Sequence, residues 1–380
     1  MHIGFLTPEY PHDKVNHAAG IGTSIKNLAL ALVQKGVAVS IFVYSQKENS
    51  VFKEDGITIH LIAYKKYKLL SWFFYRKEIQ KYLNKQIDLE KIDLIEAPDW
   101  TGITAFMNLK APLVIRFHGS DAYFCHLENR KQKLKNFWFE KLGIKKAKAF
   151  IAPTDFAGNL TKQLFQIKNK EIKTIHYGLR LHDFFNEKPN NFEKGLILYI
   201  GTLIRKKGVL ELPMIMEIVL KKNPNARLVL IGADSFDVQT QSKSTWQLLE
   251  FQLNGELKKR ISYLGKVPYK EVQNYIRSAN VCVFPTFAET LGMVTIESMA
   301  MQKAVVNSNI GWSNELIIDG ESGFLVHPKN HDLFSSKIVD VLENDALSLK
   351  IGANAKKRVE DYFDIQKKVE ENINFYKSLI

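Results

Sequence analysis

Residues 281 to 300 read VCVFPTFAETLGMVTIESMA, a stretch that combines a strand, a loop and a helix start. The apolar run Val281–Phe284 predicts a buried strand, and Pro285 ends it. From Leu291 onward the apolar spacing becomes helical, with Thr290 as the predicted N-cap. A buried strand followed directly by a helix is typical of a parallel sheet covered by helices, so the stretch predicts an α/β fold.

The same stretch places two carboxylates at a fixed spacing. Glu289 precedes the predicted helix, and Glu297 lies one turn beyond Met293 on the same side. The first amides of such a helix form an anion site, and Gly292 allows close approach to the backbone. A fully helical path would separate the carboxylates by about 12 Å, roughly the reach from sugar to ribose in a nucleotide-diphosphate sugar. The alternative interpretation is a helix start with two solvated glutamates.

Strand-like and helix-like segments alternate through the 380 residues, which favours two or three domains with parallel sheets. The first half begins with the strand His2–Leu6, and a polar stretch over 182–194 resembles a linker. The strands predicted after that linker are Leu196–Ile200, Arg227–Ile231, Ile261–Leu264, Val281–Phe284 and Ala304–Asn307. Ligands of such sheets bind beyond the carboxyl ends of the strands.

The net charge of +13 suggests a polyanionic neighbour, which could be an anionic membrane, a nucleic acid or a phosphorylated substrate. The two cysteines, Cys125 and Cys282, lack metal-ligand spacing and indicate a reducing compartment. No apolar run reaches the length of a transmembrane helix. We therefore expect a cytoplasmic protein that is soluble or bound to the inner face of the plasma membrane from one side.

A basic loop follows the first strand after the linker. Gly201 ends that strand, and Arg205 and Lys207 precede Gly208 at an expected helix start. Cations beside a helix N-terminus form a diphosphate site. The alternative is a solvated basic turn.

Two further motifs follow strands of the first half. Gly20 and Gly22 lie in a loop before the helix 24–34, and His118 follows the strand Leu113–Phe117. A glycine pair alone is a weak phosphate signal, and a lone histidine is often structural. Neither this loop nor the basic loop after Gly201 carries the full Walker or Rossmann pattern.

Together these motifs resemble a retaining glycosyltransferase of family 4. The resemblance covers nearly the whole chain, and its most specific part is FAETLGMVTIESMA, residues 287–300. It implies the GT-B fold, with two doubly wound Rossmann-like domains whose parallel sheets face a central cleft. The implied division is an acceptor-side domain at 1–183, a donor-binding domain at 184–358, and a C-terminal helix at 359–380 that packs on the first domain.

The resemblance also implies roles for residues of the donor-binding half. Glu297 binds the ribose hydroxyls, Glu289 faces the transferred sugar, and Lys207 grips the diphosphate. Three backbone amides lie near the sugar hydroxyls or the diphosphate, those of Gly292, Met293 and Val294.

Other positions carry further implied roles. Gly20 and Gly22 let the first domain approach the donor phosphate, His118 lines the sugar pocket, and Val267 edges the nucleobase. Many relatives carry arginine directly after the glycine that corresponds to Gly201. This chain has Thr202 there, so Arg205 is the candidate to supply that charge.

The implied activity is metal-independent transfer of a hexose-type sugar from a nucleotide-diphosphate sugar to a glycan or lipid-linked acceptor. Surface polysaccharide or lipopolysaccharide synthesis is the expected setting, with no cofactor and no nucleic-acid partner. The sequence lacks an Asp-x-Asp motif at a strand end, so lysine, arginine and helix amides are expected to neutralise the leaving diphosphate. Alternatives are a nucleotide-sugar epimerase or phosphorylase on the same fold and, more remotely, a basic nucleic-acid-binding or DNA-modifying protein.

Two stretches interleave cations with aromatic residues, 64–77 and 129–148. Such patterns suit the interface of an anionic membrane. The alternative is a pair of amphipathic helices with aromatic residues in the core and solvated lysines.

Overall fold

The computed structural model describes all residues from Met1 to Ile380, and the chain divides into two compact units. The first unit is Met1–Arg180 together with Asp364–Ile380, and the second is Leu181–Phe363. The C-terminal residues therefore return to the unit in which the chain begins.

The first unit is built on an eight-stranded sheet with the order β3-β4-β2-β1-β5-β6-β7-β8. All neighbouring strands are parallel except β3, which pairs antiparallel with β4 at the edge. The strands are β1 (His2–Thr7), β2 (Ala38–Gln46), β3 (Ser50–Glu54), β4 (Ile57–Ala63), β5 (Leu94–Pro98), β6 (Leu113–Arg116), β7 (Ala149–Ala152) and β8 (Ile172–Thr174).

Helices cover this sheet and enclose two apolar clusters of buried residues. Parallel strands require such crossover connections, and the helices bury the sheet on both faces. The helices before residue 180 are α1 (Gly20–Gln34), α2 (Ser71–Glu90), α3 (Asp121–Leu127), α4 (Leu134–Lys146) and α5 (Asp155–Phe165).

The second unit contains a six-stranded, wholly parallel sheet with the order β11-β10-β9-β12-β13-β14. Its strands are short and apolar and pack into one core cluster. They are β9 (Leu196–Ile200), β10 (Arg227–Ile231), β11 (Ile261–Tyr263), β12 (Val281–Phe284), β13 (Ala304–Asn307) and β14 (Phe324–Leu325).

Eight helices connect and cover the strands of the second unit. They are α6 (Leu212–Lys222), α7 (Thr245–Glu250), α8 (Gly255–Arg260), α9 (Tyr269–Ser278), α10 (Met293–Ala300), α11 (Ser313–Leu316), α12 (His331–Glu343) and α13 (Asp345–Tyr362).

The last helix, α14 (Ile365–Lys377), packs against α1 and is tied to the first sheet by a buried polar network. Arg116 donates to both carboxylate oxygens of Glu96, at 2.7 and 3.0 Å, and to Asn372 Oδ1 at 2.6 Å. Tyr376 donates to Glu96 Oε2 at 2.6 Å. The fully satisfied network fixes this helix on the sheet, because each buried charge has a partner.

Several sequence predictions are confirmed at the level of individual strands. Four strands of the second unit have the predicted bounds, and β11 ends one residue earlier than predicted. The sequence missed two strands, β3 and the two-residue β14, since neither carries a long apolar run. The segment 359–380, predicted as one helix, contains the end of α13 and all of α14.

None of the helices is both long enough and apolar enough to cross a bilayer.

Candidate active site

The helix that follows β12 begins later than the sequence predicted. Gly292 has φ +99° and takes the N-cap position, so α10 starts at Met293. The prediction of Thr290 as N-cap at a start near Leu291 is therefore wrong. A left-handed residue interrupts a right-handed helix, and glycine adopts that conformation without a Cβ penalty. The first amides of α10 belong to Met293 and Val294, and their contact with an anion stays a prediction.

Glu289 and Lys207 form an ion pair although 82 positions separate them in the sequence. Glu289 Oε1 also accepts a hydrogen bond from its neighbour's amide, Thr290 N, at 2.9 Å. Burial alone raises the pKa of Glu289, but the Lys207 ammonium and the Thr290 amide outweigh it and hold the pKa below its ordinary value. Glu289 is therefore a charged group at neutral pH, and Lys207 is held in place by it.

The two side chains line one small pocket in the second unit. Gly292 and Val294 line it too, so four of the predicted site residues come together there. The sequence prediction missed the other seven lining residues, which are Tyr199, Ile200, Phe284, Thr286, Thr295, Asn307 and Trp312. Asn307 carried a signal, since it is a polar residue at the carboxyl end of the apolar strand β13.

The basic loop after β9 docks tightly on the loop after β12. Arg205–Lys207 is a short 3-10 turn, and the backbone carbonyl of Lys206 accepts from Phe287 N at 2.8 Å. Gly208 has φ +71°, and a Cβ on it would lie 1.7 Å from the carbonyl oxygen of Pro285. A second 3-10 turn follows, and α6 begins only at Leu212. The expectation that this basic run directly precedes a regular helix is therefore wrong.

Gly208→Ala is expected to lower the stability of the second unit by at least about 2 kcal/mol, from backbone strain and overpacking. Thermal and urea unfolding measure the effect. The matched control is Gly255→Ala, because Gly255 has an open Cβ direction and lies in the first turn of α8. Equal stability of the two variants would contradict the packing argument.

Arg205 has a partner of its own. Its Nε and Nη2 donate to the two carboxylate oxygens of Asp237, at 2.9 and 2.8 Å. Hydrogen bonding from Arg205 lowers the pKa of Asp237 to about 2. A diphosphate ligand would compete with this bidentate pair, so the role of Arg205 at the leaving group stays a prediction.

Gly201 lies at the start of the loop that carries Arg205 and Lys207. It has φ +149°, and a Cβ there would lie 3.1 Å from the hydroxyl of Tyr199. That hydroxyl donates to the carbonyl of Thr202 at 3.2 Å. Close packing therefore accounts for a glycine at this strand end.

Glu297 lies on α10 and is almost fully buried, with 7% of its surface exposed. Tyr269, the first residue of α9, donates to Glu297 Oε1 at 2.7 Å. Burial raises the pKa of Glu297 to about 7, and the Tyr269 hydroxyl partly opposes this rise. The sequence predicted Glu297 but not Tyr269, since the two are 28 positions apart.

Val267, the predicted nucleobase contact, is half-buried between β11 and α9. Tyr269 follows it by two residues and has 53% of its surface exposed. The hydroxyl of Tyr269 is held by Glu297, which leaves its ring at the surface of the same segment. The contact of Val267 with a nucleobase stays a prediction.

His118 belongs to the first unit and follows β6. Its Nδ1 lies 2.7 Å from the hydroxyl of Tyr177, and the two rings stack at 5.6 Å. The backbone amide of His118 donates to Asp99 Oδ1 at 2.9 Å. Burial, aided by the Arg116 charge, lowers the pKa of His118 to about 3. The imidazole is therefore neutral at physiological pH.

The glycine pair of the first unit is part of a helix, not of a loop. Gly20 is the first residue of α1, and Gly22 N donates to Glu9 Oε1 at 2.8 Å. A Cβ on Gly22 would lie 2.9 Å from the Glu9 carbonyl oxygen and from Tyr10 Cα. The expectation of a phosphate loop ending at these glycines is corrected: a protein carboxylate already occupies the Gly22 amide. Gly20 has open space around its Cβ direction.

Comparison with family models covers almost the whole chain. Residues 18–182 match the model described as Glycosyltransferase Family 4, and residues 182–358 match Glycosyl transferases group 1. The two matches meet at the junction between the units. The pocket with Glu289, Lys207 and Gly292 lies within the second match.

Similar proteins carry related names. An uncharacterised glycosyltransferase of Methanocaldococcus jannaschii is 26% identical over 90% of this chain and 89% of its own. The capsular polysaccharide biosynthesis glycosyltransferase CapM of Staphylococcus aureus is 28% identical over 57% of this chain and 52% of its own.

Solved structures share the fold over the full length. Sucrose-phosphate synthase from Thermosynechococcus elongatus has a TM-score of 0.80 at 19% identity and covers 100% of this chain and 98% of its own. Anabaena HepE, solved in complex with UDP and glucose, has a TM-score of 0.76 at 17% identity, with 100% of both chains covered.

Proposed function

Because the chain belongs to the family 4 glycosyltransferases and has the GT-B fold, we propose that it transfers a hexose-type sugar with retention of configuration. The donor in this proposal is a nucleotide-diphosphate sugar, and the acceptor is a glycan or a lipid-linked glycan. The observation that supports this proposal most directly is the Lys207–Glu289 ion pair in the pocket beside the first turn of α10. It combines a cation for a diphosphate with a carboxylate for sugar hydroxyls.

The pocket chemistry divides between the two halves of the donor. Departure of the nucleoside diphosphate increases negative charge on the phosphate oxygens. Lys207 and the amides of Met293 and Val294 are suited to stabilise that charge, because they are positioned before the reaction begins. Glu297, held by Tyr269, is suited to accept hydrogen bonds from ribose hydroxyls.

Glu289 is assigned to orienting the sugar and not to covalent attack. Its carboxylate is engaged by Lys207 and by the Thr290 amide, which fixes it as a hydrogen-bond acceptor. In the proposed same-face reaction, the leaving phosphate oxygen takes the proton from the acceptor hydroxyl. The neutral imidazole of His118 is proposed to hydrogen-bond the sugar without proton transfer.

The test is donor turnover with and without acceptor. Purified protein is screened by melting-temperature shift against uridine, guanosine and adenosine diphosphate sugars, and the stabilising donor is then assayed. A transferase needs an acceptor for rapid turnover and gives a product with the donor's anomeric configuration. Rapid conversion of the donor sugar without acceptor would indicate an epimerase instead.

In this proposal, Lys207 and the helix amides take the place of a metal ion at the leaving diphosphate. Chelation with EDTA is therefore expected to leave kcat within about twofold, since the positive charge at the leaving group belongs to the protein. The matched measurement adds Mg²⁺ or Mn²⁺ back to the chelated enzyme. A tenfold loss that Mg²⁺ or Mn²⁺ restores would contradict this part of the proposal.

Surface polysaccharide or lipopolysaccharide synthesis is the proposed setting. The likeness to CapM, whose name places it in capsular polysaccharide biosynthesis, supports a glycan acceptor. A lipid-linked acceptor would place the enzyme at the cytoplasmic face of the plasma membrane, bound peripherally.

A further inference from the structure

Two basic-aromatic stretches that are distant in the sequence meet on the surface of the first unit. Trp72 in the first turn of α2 contacts Phe139 of α4, with ring centroids 4.8 Å apart. The Lys135 ammonium lies 5.7 Å from the Trp72 ring and 5.6 Å from the Phe139 ring. The beginnings of α2 and α4 therefore form one surface, which we name the α2–α4 face.

A cluster of contacting aromatic rings underlies this face. Phe106 contacts Trp72 at 5.5 Å and Phe139 at 5.9 Å. The guanidinium of Arg76 lies 4.6 Å from the Phe139 ring and donates to the carbonyls of Trp72 and Gly102. The half-buried rings thus pack on each other. For these rings, the alternative of amphipathic helices with aromatic residues in the core is correct.

Large apolar side chains outside that aromatic cluster remain exposed. Leu69 and Leu70 directly precede α2, with 78% and 56% of their surface exposed. Leu134 and Trp138 lie one turn apart on α4, at 77% and 55%. Leu70 also has φ 47°, a left-handed conformation that is uncommon for leucine. These side chains contribute little to the core, and packing within the unit does not account for them.

Positive charge is concentrated in the same two stretches. Residues 64–77 and 129–148 hold thirteen lysines and arginines and one acidic residue, Glu140. Glu140 is 1% exposed and accepts hydrogen bonds from the amides of Asp121 and Ala122. The rest of the chain holds 40 basic and 39 acidic residues and is almost neutral. These two stretches of the first unit therefore carry nearly all of the net positive charge of the protein. Six exposed lysines lie beside the starts of the two helices, Lys65, Lys66, Lys68, Lys131, Lys133 and Lys135.

We propose that the α2–α4 face docks on an anionic phospholipid bilayer. Lysines attract the acidic headgroups, and exposed leucine and tryptophan side chains enter the interfacial layer. Exposed leucines favour a bilayer over a nucleic acid, because single strands are bound by stacking on aromatic rings. Only the biological role of this docking rests on the proposed function: docking would bring the enzyme to a lipid-linked acceptor.

Vesicle flotation tests the proposal with the full-length protein. The probes are phosphatidylcholine vesicles with and without 30% phosphatidylglycerol, at about 50 and 500 mM NaCl, a range over which ionic screening changes strongly. We expect binding only to the anionic vesicles and at least a tenfold weaker affinity at the higher salt. Absence of binding to anionic vesicles at low salt, or equal binding to neutral ones, would overturn the proposal.

Two paired variants separate charge from apolar insertion. Lys131→Glu/Lys133→Glu is expected to weaken vesicle affinity at least tenfold, whereas Lys258→Glu/Lys259→Glu on α8 changes it less than twofold. Leu134→Ser/Trp138→Ser should weaken it at least fivefold, whereas Phe251→Ser, at 88% exposure in the second unit, should not. Equal losses from a face variant and its control would refute the assignment of the surface.

Further measurements distinguish a failure of the docking proposal from a failure of the proposed function. Donor hydrolysis in solution should be unchanged in both face variants, because neither alters the donor pocket. A wild-type protein that floats with vesicles but turns over no donor would refute the proposed function and leave the docking face intact. Binding of a single-stranded RNA in preference to anionic vesicles at equal salt would overturn the bilayer assignment.

Discussion

Lys207→Ala is expected to lower kcat for sugar transfer by about 100- to 1000-fold, the usual cost of losing a preorganised charge at a leaving group. Lys207 is the cation that the structure places inside the pocket beside Glu289 and Gly292. The measurement is kcat and KM with the best donor, together with the Kd of the nucleoside diphosphate. A loss smaller than tenfold would count against the role of Lys207.

The ion pair complicates a single substitution. Removing Lys207 takes away the ammonium that pairs with Glu289, and the remaining carboxylate charge would repel a diphosphate by itself. The double variant Lys207→Ala/Glu289→Gln separates the two causes. If the missing cation is responsible, the double variant stays at least 100-fold slow. Recovery to within tenfold of wild type would show that Lys207 serves only to neutralise Glu289.

A neighbouring lysine provides the matched control. Lys206 belongs to the same 3-10 turn, and Lys206→Ala removes the same charge one residue away. The loop is held through the backbone carbonyl of Lys206, which alanine retains. We expect less than a tenfold change in kcat from this variant. A loss as large as that of Lys207→Ala would mean that the loop's total charge matters and not the position of one ammonium group.

Glu297→Ala is expected to weaken nucleoside-diphosphate binding by roughly 10- to 150-fold, the value of hydrogen bonds to a charged group. Calorimetry with the nucleoside diphosphate measures this directly and does not depend on an acceptor. The effect should appear in Kd and in donor KM. Unchanged affinity would remove Glu297 from the ribose site.

The pH dependence of that affinity follows from the environment of Glu297. Because its pKa is raised to about 7, the carboxyl is mainly protonated below pH 7 in the free protein. Ribose hydroxyls donate best to the ionised form, so binding requires loss of that proton. Affinity should therefore rise with pH through about 7 and weaken by up to tenfold per unit below it. Burial, which raises the pKa of Glu297, and the Tyr269 hydroxyl, which lowers it, are the two causes that act on this carboxyl.

Two variants test the source of the pH dependence. Glu297→Gln keeps the side-chain shape and retains only the pH dependence that comes from the ligand's own phosphate. Tyr269→Phe removes a hydrogen bond that favours the ionised carboxylate, so the midpoint should move to higher pH. A pH dependence of affinity in Glu297→Gln as large as that of the wild type would contradict the assignment to this carboxyl.

Local sequence was sufficient for much of the second sheet. The runs Leu196–Ile200, Val281–Phe284 and Ala304–Asn307 are continuous, apolar and buried, as expected for parallel strands covered on both faces. The edge strand Ser50–Glu54 has polar residues at three of its five positions and pairs antiparallel, so no apolar run marked it. The start of α10 was misplaced because the left-handed turn at Gly292 overrode the helical spacing from Leu291.

The sequence by itself determined which residues are chemically able to act: Glu289, Glu297, Lys207 and the glycine that opens α10. It also determined where they stand in the chain, beyond the carboxyl ends of β9 and β12. Only the tertiary structure decided their partners. The strand order brings β9 beside β12, and this adjacency pairs Lys207 with Glu289 across 82 positions.

The same physical reason explains the other differences. Asp237 binds Arg205, Glu9 binds the Gly22 amide, and Tyr269 binds Glu297, each across a separation that no local pattern encodes. Charge density along the chain was visible from the start. That two basic stretches share the α2–α4 face depended on the contact between Trp72 and Phe139, which exists only in the folded unit.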